Sequence, residues 1–438
     1  MLLNAADKAL WRLALPMIFS NITVPLLGLV DTAVIGHLDS PVYLGGVAVG
    51  ATATNFLFML LLFLRMSTTG LTAQAWGAKD PQRLARALVQ PLALALGAGV
   101  LIILLRLPLI DLALHIVGGS EAVLEQARRF LEIRWLSAPA SLANLVLLGW
   151  LLGVQYARAP VILLVVGNLL NIVLDLWLVM GLRMNVQGAA LATVTAEYAT
   201  LIIGLLMAKR VLTLRGVSLA MLKNAWRGDL RRLLALNRDI MLRSLLLQLC
   251  FGALTVFGAR LGSDIVAVNA VLMTMLTFTA YALDGFAYAV EAHSGQAYGA
   301  RDGSQLLEVW RAACRQSGMV ALAFALIYSL AGQYIIALLT SLPSLQQLAD
   351  RYLIWQTILP VVGVWCYLLD GMFIGATRGA EMRNSMAVAA AGFAVTLLTL
   401  PVLGNHGLWL ALGVFLALRG LSLALIWRRH WRRGTWFS

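Results

Sequence analysis

Two acid-bearing patterns in this chain have the residue types and spacing for ion chemistry. In GNLLNIVLDLWLVMG, from Gly167 to Gly181, Asn171 and Asp175 stand four apart and so share one helix face. The next apolar run repeats the spacing near its middle with Thr193 and Glu197. A third acid, Asp31, lies in ALPMIFSNITVPLLGLVDTAVIG, a run longer than the ~20 residues a helix needs to cross a bilayer. An ionised carboxylate in hydrocarbon costs at least ~2.5 kcal/mol, so it calls for a basic partner, a proton or a bound cation. No Lys or Arg stands at mid-depth in these three runs, since Arg12 and Arg183 fall at their edges. Desolvation raises a carboxylate pKa, and a second acid in the same pocket raises it further. Carboxylate, amide and hydroxyl oxygens are also the ligands a hard cation such as Na⁺ prefers. The chemistry indicated is reversible binding of a proton or of Na⁺. Structural readings compete: Asp31 in the headgroup layer near a helix end, and Asn171 and Thr193 as interhelical hydrogen-bonding groups. Pro16 and Pro25, in the same run as Asp31, each free a backbone carbonyl and allow a kink.

The elements that must position these residues are membrane helices. With 61% of its 438 residues hydrophobic and 12% charged, the chain has no ordinary soluble composition. Apolar runs predict twelve spans: 10–35, 44–65, 85–105, 130–152, 159–181 and 186–208, then 236–258, 264–290, 312–338, 352–376, 384–402 and 405–427. The fold class expected is an all-α integral membrane protein of two six-helix bundles, 1–215 and 236–438, joined by a basic cytoplasmic linker at 216–235. The formal charge of +13 is not a nucleic-acid signal. Its Lys and Arg gather in alternate short segments, at 79–86, 209–232, 301–315 and 428–433, as the positive-inside rule requires of a chain with both termini cytoplasmic. The loop between spans 3 and 4, with Arg106, Arg128 and Arg129, departs from that rule. Cys250, Cys314 and Cys366 show no metal-binding or redox spacing. The first apolar run is long enough to stay in the membrane, so no cleaved signal peptide is expected.

The halves resemble each other. QAWGAKD, from Gln74 to Asp80, returns as QAYGARD, from Gln296 to Asp302, at an offset of about 222 residues. Pro139 and Pro360 fall near the same offset. Six spans per repeat give both halves one topology, so they form parallel repeats related by a pseudo-two-fold axis along the membrane normal. Such transporters bind substrate between the halves and alternate its access. The QAxGAxD turns themselves read best as helix terminators without chemistry.

The run LALP…VDTAVIG, the NxxxD of span 5, the GAALAT of span 6 and the doubled QAxGA resemble the multidrug and toxic compound extrusion (MATE) family over the whole chain, closest to its DinF-type bacterial branch. The resemblance implies an ion-coupling site, for H⁺ or Na⁺, at Asp31, Asn171, Asp175 and Thr193, with Pro16 as the hinge that lets span 1 bend. Glu197 is outside that pattern and reads as a supporting acid. Another branch keeps its cation site in the second half on a glutamate of span 7, and this chain has no acid from Ile240 to Arg260. Asp284, Glu291 and Asp370 lie in that half, and Asp284 and Asp370 are candidate cavity residues. His115 and His293 read as edge residues with structural roles.

The function expected is a secondary active antiporter of the bacterial inner membrane that exports organic compounds, cationic or amphipathic, in exchange for H⁺ or Na⁺. No other cofactor, no nucleic acid and a monomeric state are expected. A lipid-linked oligosaccharide flippase is the alternative, but it requires several cavity-facing Arg or Lys for pyrophosphate, whereas these residues fall almost entirely at span ends. An intramembrane enzyme requires a nucleophile–base pair or metal ligands at helical spacing, and the sequence presents neither.

Overall fold

The computed structural model describes residues 3–38, 40–228 and 230–438, and the side chains of 24–32 also fall outside the described set. The first half folds as α1 (Ala5–Gly36), α2 (Pro41–Leu60), α3 (Phe63–Gly77), α4 (Pro81–Leu104), α5 (Arg106–Val117), α6 (Glu121–Arg134), α7 (Ala138–Gly153), α8 (Arg158–Asp175) and α9 (Asn185–Leu214). A short α10 (Leu219–Lys223) precedes α11 (Leu230–Arg260), α12 (Ser263–Ala300), α13 (Gly303–Leu339), α14 (Pro343–Gly375), α15 (Gly379–Thr396), α16 (Leu400–Leu403) and α17 (Asn405–Arg433). Among the described residues eleven stretches are long and apolar enough to cross a membrane, counting α2 with α3 and α6 with α7 as single stretches. The 32-residue α1 makes the twelfth.

Several helices run past the ends that hydropathy predicts. Span 2 continues from 65 to Gly77 because its polar residues are inside the protein: Ser67, Thr68, Thr69, Thr72 and Gln74 are all buried. The hydroxyls of Thr68 and Thr69 satisfy themselves on the Leu64 and Arg65 carbonyls one turn back, at 2.6 and 2.9 Å, so they need no water. The exceptional segment at 106–129 is helical apart from residues 118–120. It forms α5 and the first half of α6, where Arg128 pairs with Asp111 and Arg129 with Glu125.

The repeat is built into backbone and packing. Lys79 and Arg301 both take the left-handed conformation, at φ 53°. In each repeat the following aspartate donates its N–H five residues back, Asp80 to Ala75 and Asp302 to Ala297. Each aspartate then caps the next helix, Asp80 accepting from the Gln82 and Arg83 amides and Asp302 from that of Gln305. These turns are helix stops and starts. The same offset relates glycines that allow backbones to meet. A Cβ on Gly149 would stand 2.6 Å from the Arg65 carbonyl oxygen, and one on Gly371 would stand 2.7 Å from that of Ala287.

The chain forms two compact units, Phe19–Leu234 and Met1–Ile18 with Ala235–Ser438. The first unit centres on Trp150, wholly buried, whose indole N–H reaches the Leu84 carbonyl at 3.1 Å. In the second, the start of α1 packs on the later helices through Leu10, Leu13, Ala14 and Met17. Trp11 lies edge-on to Phe286 at 4.9 Å and donates to Gln316 at 2.9 Å, and His293 bonds the Ala9 carbonyl. Burial of Asp7, ahead of the apolar run, works to raise its pKa. Hydrogen bonds from Arg315 and the Asn4 amide outweigh this and hold it below the usual 3.8. Helix α1 thus belongs to both units, dividing after Ile18.

Candidate functional site

Helix α8 presents Asn171 and Asp175 on one face, and both are buried, at 2% and 1% exposure. Across from them on α9, Thr193 receives a hydrogen bond from the Asn171 amide at 3.4 Å and passes its own proton to the Ala189 carbonyl at 3.2 Å. With that arrangement the amide nitrogen has its acceptor. The Asn171 carbonyl oxygen, however, is buried and has no hydrogen-bond donor among the described residues. Both oxygens of Asp175 are buried as well.

Asp175 is the last α-helical residue of its span. The backbone then widens into a π-helical turn over Leu176–Gly181, closed by hydrogen bonds from Leu182 to Trp177 and from Met184 to Leu178. Such turns occur often at functional sites, because they displace a side chain from the regular helical register. Asp31 lies in α1 among the residues whose side chains are outside the described set. One turn later, Val34 and Ile35 belong to the same apolar cluster as Val179, Ala189 and Ala190. The packing therefore brings the Asp31 end of α1 to the π turn and the first turns of α9.

Glu197, one turn beyond Thr193, is held elsewhere. Asn144 donates to its carboxylate at 3.1 Å, and Arg134 stands 3.8 Å away at 12% side-chain exposure. The sequence reading missed Arg134 and Asn144 because both are on the helices before span 5.

In the other unit, Asp370 does not stand as an open cavity acid. It is 7% exposed, and a single carboxylate oxygen receives Arg243 at 2.6 Å and Arg419. These two arginines correct the expectation that cations lie at span ends. Each is buried within an apolar run, Arg243 in IMLRSLLL and Arg419 in LALRGLSL, and that pattern is the signal that could have found them. Asp284, on α12, is half-buried, and Glu291, on the same helix, is buried.

The repeat offset aligns Asn171 with Phe393, Asp175 with Leu397 and Thr193 with Phe415. Phe393 and Phe415 meet edge-on at 6.2 Å, so an aromatic contact takes the place of the amide–hydroxyl pair. The π turn is replaced by a 3-10 turn, Leu397–Thr399. Among the described residues, the buried amide–hydroxyl pair thus stands at this place in one half and an aromatic pair in the other.

A doubled helical scaffold with a buried oxygen cluster in one repeat defines a class of membrane transporter. The chain belongs to the MatE family, whose model matches residues 16–177 and 240–403, one segment in each repeat. It is 87% identical over 436 residues to DNA damage-inducible protein F of Escherichia coli, across 100% of this chain and 95% of that protein. It is 23% identical over 431 residues to the Probable multidrug resistance protein NorM of Acinetobacter baylyi, across 96% of this chain and 94% of the relative. Its fold matches an outward-facing multidrug resistance MATE family transporter of the MOP superfamily, with a TM-score of 0.85 at 23% identity over 98% of this chain and 96% of the other. It is a multi-pass membrane transporter and not an enzyme.

Proposed function

We propose that the chain is a secondary active antiporter that exports organic compounds in exchange for H⁺ or Na⁺, with Asp31, Asn171, Asp175 and Thr193 as the coupling site. The observation that carries this reading is the Asn171 carbonyl oxygen, which has no donor among the described residues and is buried on the helix face that also bears Asp175, its amide bonded to Thr193. An unfilled acceptor in a buried site gains from a proton donor or a cation and from little else. Loading neutralises the carboxylate, and unloading restores a charge that the apolar surroundings disfavour. That difference gives the ion a means to bias one conformation over another. Pro16 suits the hinge role, because α1 passes from one compact unit to the other two residues after it.

Cationic or amphipathic substrates fit the acids Asp31 and Asp175, in spans that carry no Lys or Arg at mid-depth, while Asp370 offsets one of the two charges of the buried Arg243 and Arg419. The setting is the bacterial inner membrane with both termini cytoplasmic, and reporter fusions after Arg232 and at Ser438 test that orientation. Coupling is tested in proteoliposomes loaded with a fluorescent organic cation under imposed pH and Na⁺ gradients. Wild-type protein moves the dye under at least one gradient, while folded Asp175→Asn and Asp31→Asn bind dye but do not respond to either. Wild-type rates in both variants would remove the assignment.

A further inference from the structure

Helices α1 and α12 meet backbone to backbone at Gly285. A Cβ on that glycine would stand 2.3 Å from Cγ1 of Ile18, 3.0 Å from the Ile18 amide nitrogen and 3.2 Å from the Ala14 carbonyl oxygen. In an α-helix the amide of residue 18 and the carbonyl of residue 14 are the two ends of one hydrogen-bonded rung. That rung brackets Pro16. A proline supplies no N–H, so the carbonyl four residues back, that of Arg12, loses its regular donor and the helix can bend there. The crossing therefore falls on the one turn of the segment that the sequence weakens.

Below this turn α1 is fixed. Asp7 pairs with Arg315 at 3.0 Å, His293 meets the Ala9 carbonyl at 3.2 Å, and Trp11 bonds Gln316 and lies edge-on to Phe286, the residue after Gly285. The compact unit ends at Ile18, so Ala14–Ile18 is the last turn of α1 within it. Two residues beyond Gly285, about half a helical turn, α12 is backed by α14. A Cβ on Gly371 would stand 2.7 Å from the Ala287 carbonyl oxygen, and Asp370 beside it is held by Arg243 and Arg419. A side chain at position 285 would thus push on α1, because α12 has its own close contact behind it.

The sibling helices have neither device. The counterpart of α1 is α11, which contains no proline, and the repeat offset puts Phe63 where α12 has Gly285. Glycine inside a helix is less favourable than alanine. Its place here is explained by the close approach of α1.

We infer that Gly285 is a positioning residue of the coupling step: its missing side chain seats the Ala14–Ile18 turn on α12, and α1 bends at Pro16 about that seat when the site around Asp31 changes its load. A bend needs a fixed point on one side, since a helix free along its whole length would shift as a rod. The inference rests on the coupling reading above and adds to it the surface against which Pro16 works.

Two measurements on the full-length protein test it. In wild type, hydrogen exchange along α1 is compared with the site loaded and unloaded, by pH and by Na⁺. The change should begin within Ala14–Ile18 and leave residues 7–13 as they were. A change spread evenly over 7–18, or none anywhere in α1, would overturn the inference without need of a variant. The second measurement sets Gly285→Ala beside wild type in the dye-loaded proteoliposomes. Gradient-driven export should fall at least about tenfold while dye binding stays within about twofold. Adding Ile18→Ala removes the Cγ1 that the new methyl meets and should restore most of the rate. Gly318→Ala on α13, where a Cβ meets nothing within 4 Å, should export as wild type. Wild-type export by Gly285→Ala, or a loss matched by an equal loss of dye binding, would overturn the inference. Asp175→Asn separates the two readings. If it uncouples export and Gly285→Ala does not, the fulcrum alone falls; if Asp175→Asn still responds to the gradients, the coupling assignment falls and the exchange pattern decides the fulcrum.

Discussion

The two repeats share a scaffold to within a hydrogen bond at their QAxGAxD turns and differ most at one place. Where α8 and α9 bring an amide, a carboxylate and a hydroxyl together, α15 and α17 bring Phe393 and Phe415 into an edge-on contact, and Leu397 holds the position equivalent by offset to that of Asp175. The aromatic version is self-sufficient, since a ring pair adds about 0.5–1.5 kcal/mol beyond its burial and asks for no ligand. The polar version leaves the Asn171 carbonyl oxygen without a donor among the described residues. A second contrast runs the opposite way. Glu197 aligns with Arg419, an acid in one half and a base in the other, and each is matched by a buried or half-buried opposite charge. A duplicated fold thus separates two tasks that compete within one bundle.

The largest effect should come from making the halves alike. Asp175→Leu installs the counterpart's residue and should reduce gradient-driven export to the level of empty liposomes, whereas Leu397→Ala should retain most of it. Equal losses in the two would erase the contrast.

Removing the charge of Asp370 should act on stability instead. Asp370→Asn strands two buried guanidinium groups, and breaking a buried pair costs about 3–5 kcal/mol. The reading is a loss of monodisperse protein or a large fall in melting temperature. Arg243→Met/Asp370→Leu/Arg419→Met, which removes the whole cluster, should be more stable than the single variant. A single variant as stable as wild type, with ion dependence lost, would move the coupling site into this half.

Smaller changes should separate affinity from packing. Thr193→Val removes the hydroxyl's bond to the Ala189 carbonyl and the one it accepts from Asn171; the latter, worth about 1 kcal/mol to the site, should raise the ion concentration at half-maximal transport roughly fivefold. Phe415→Leu should cost about 1–2 kcal/mol of stability and leave ion dependence unchanged. Smallest of all is Asp7, in the first turn of α1. Its folded pKa is depressed, so its contribution is present above 3.8 and fades as pH falls through the lower folded value. Asp7→Asn should melt slightly below wild type near neutral pH, and the difference should close in strong acid.

Much of this was legible in the residues. Apolar runs long enough to span and two acids with helix-mates four apart are local patterns, and the repeated QAxGAxD turn is found by comparing the sequence with itself at one fixed offset. What escaped depends on distance. Asp370 meets Arg243 and Arg419 across 127 and 49 positions, and no local pattern predicts which charges will pair. The π turn after Asp175 was also unreadable, because LWLVMG consists largely of residues that suit an ordinary helix. Span ends were misjudged where threonines turn their hydroxyls back onto the helix, since hydropathy counts such groups as though they faced water.

The division of α1 after Ile18 has a consequence for how the chain is made. The first helical turns, with Asp7 and Trp11, find their partners at Phe286, Arg315 and Gln316, about 300 positions later. At ~5–20 residues per second, a ribosome takes roughly 15–60 s to deliver those partners. During that interval Leu10, Leu13 and Met17, wholly covered in the finished molecule, have only lipid or an insertion factor against them. The second half, in turn, cannot complete its core until it captures a segment synthesised at the very start. A gene split at the midpoint therefore yields a C-terminal fragment without part of its own core, and supplying residues 1–18 in trans or at its N-terminus should be what restores it.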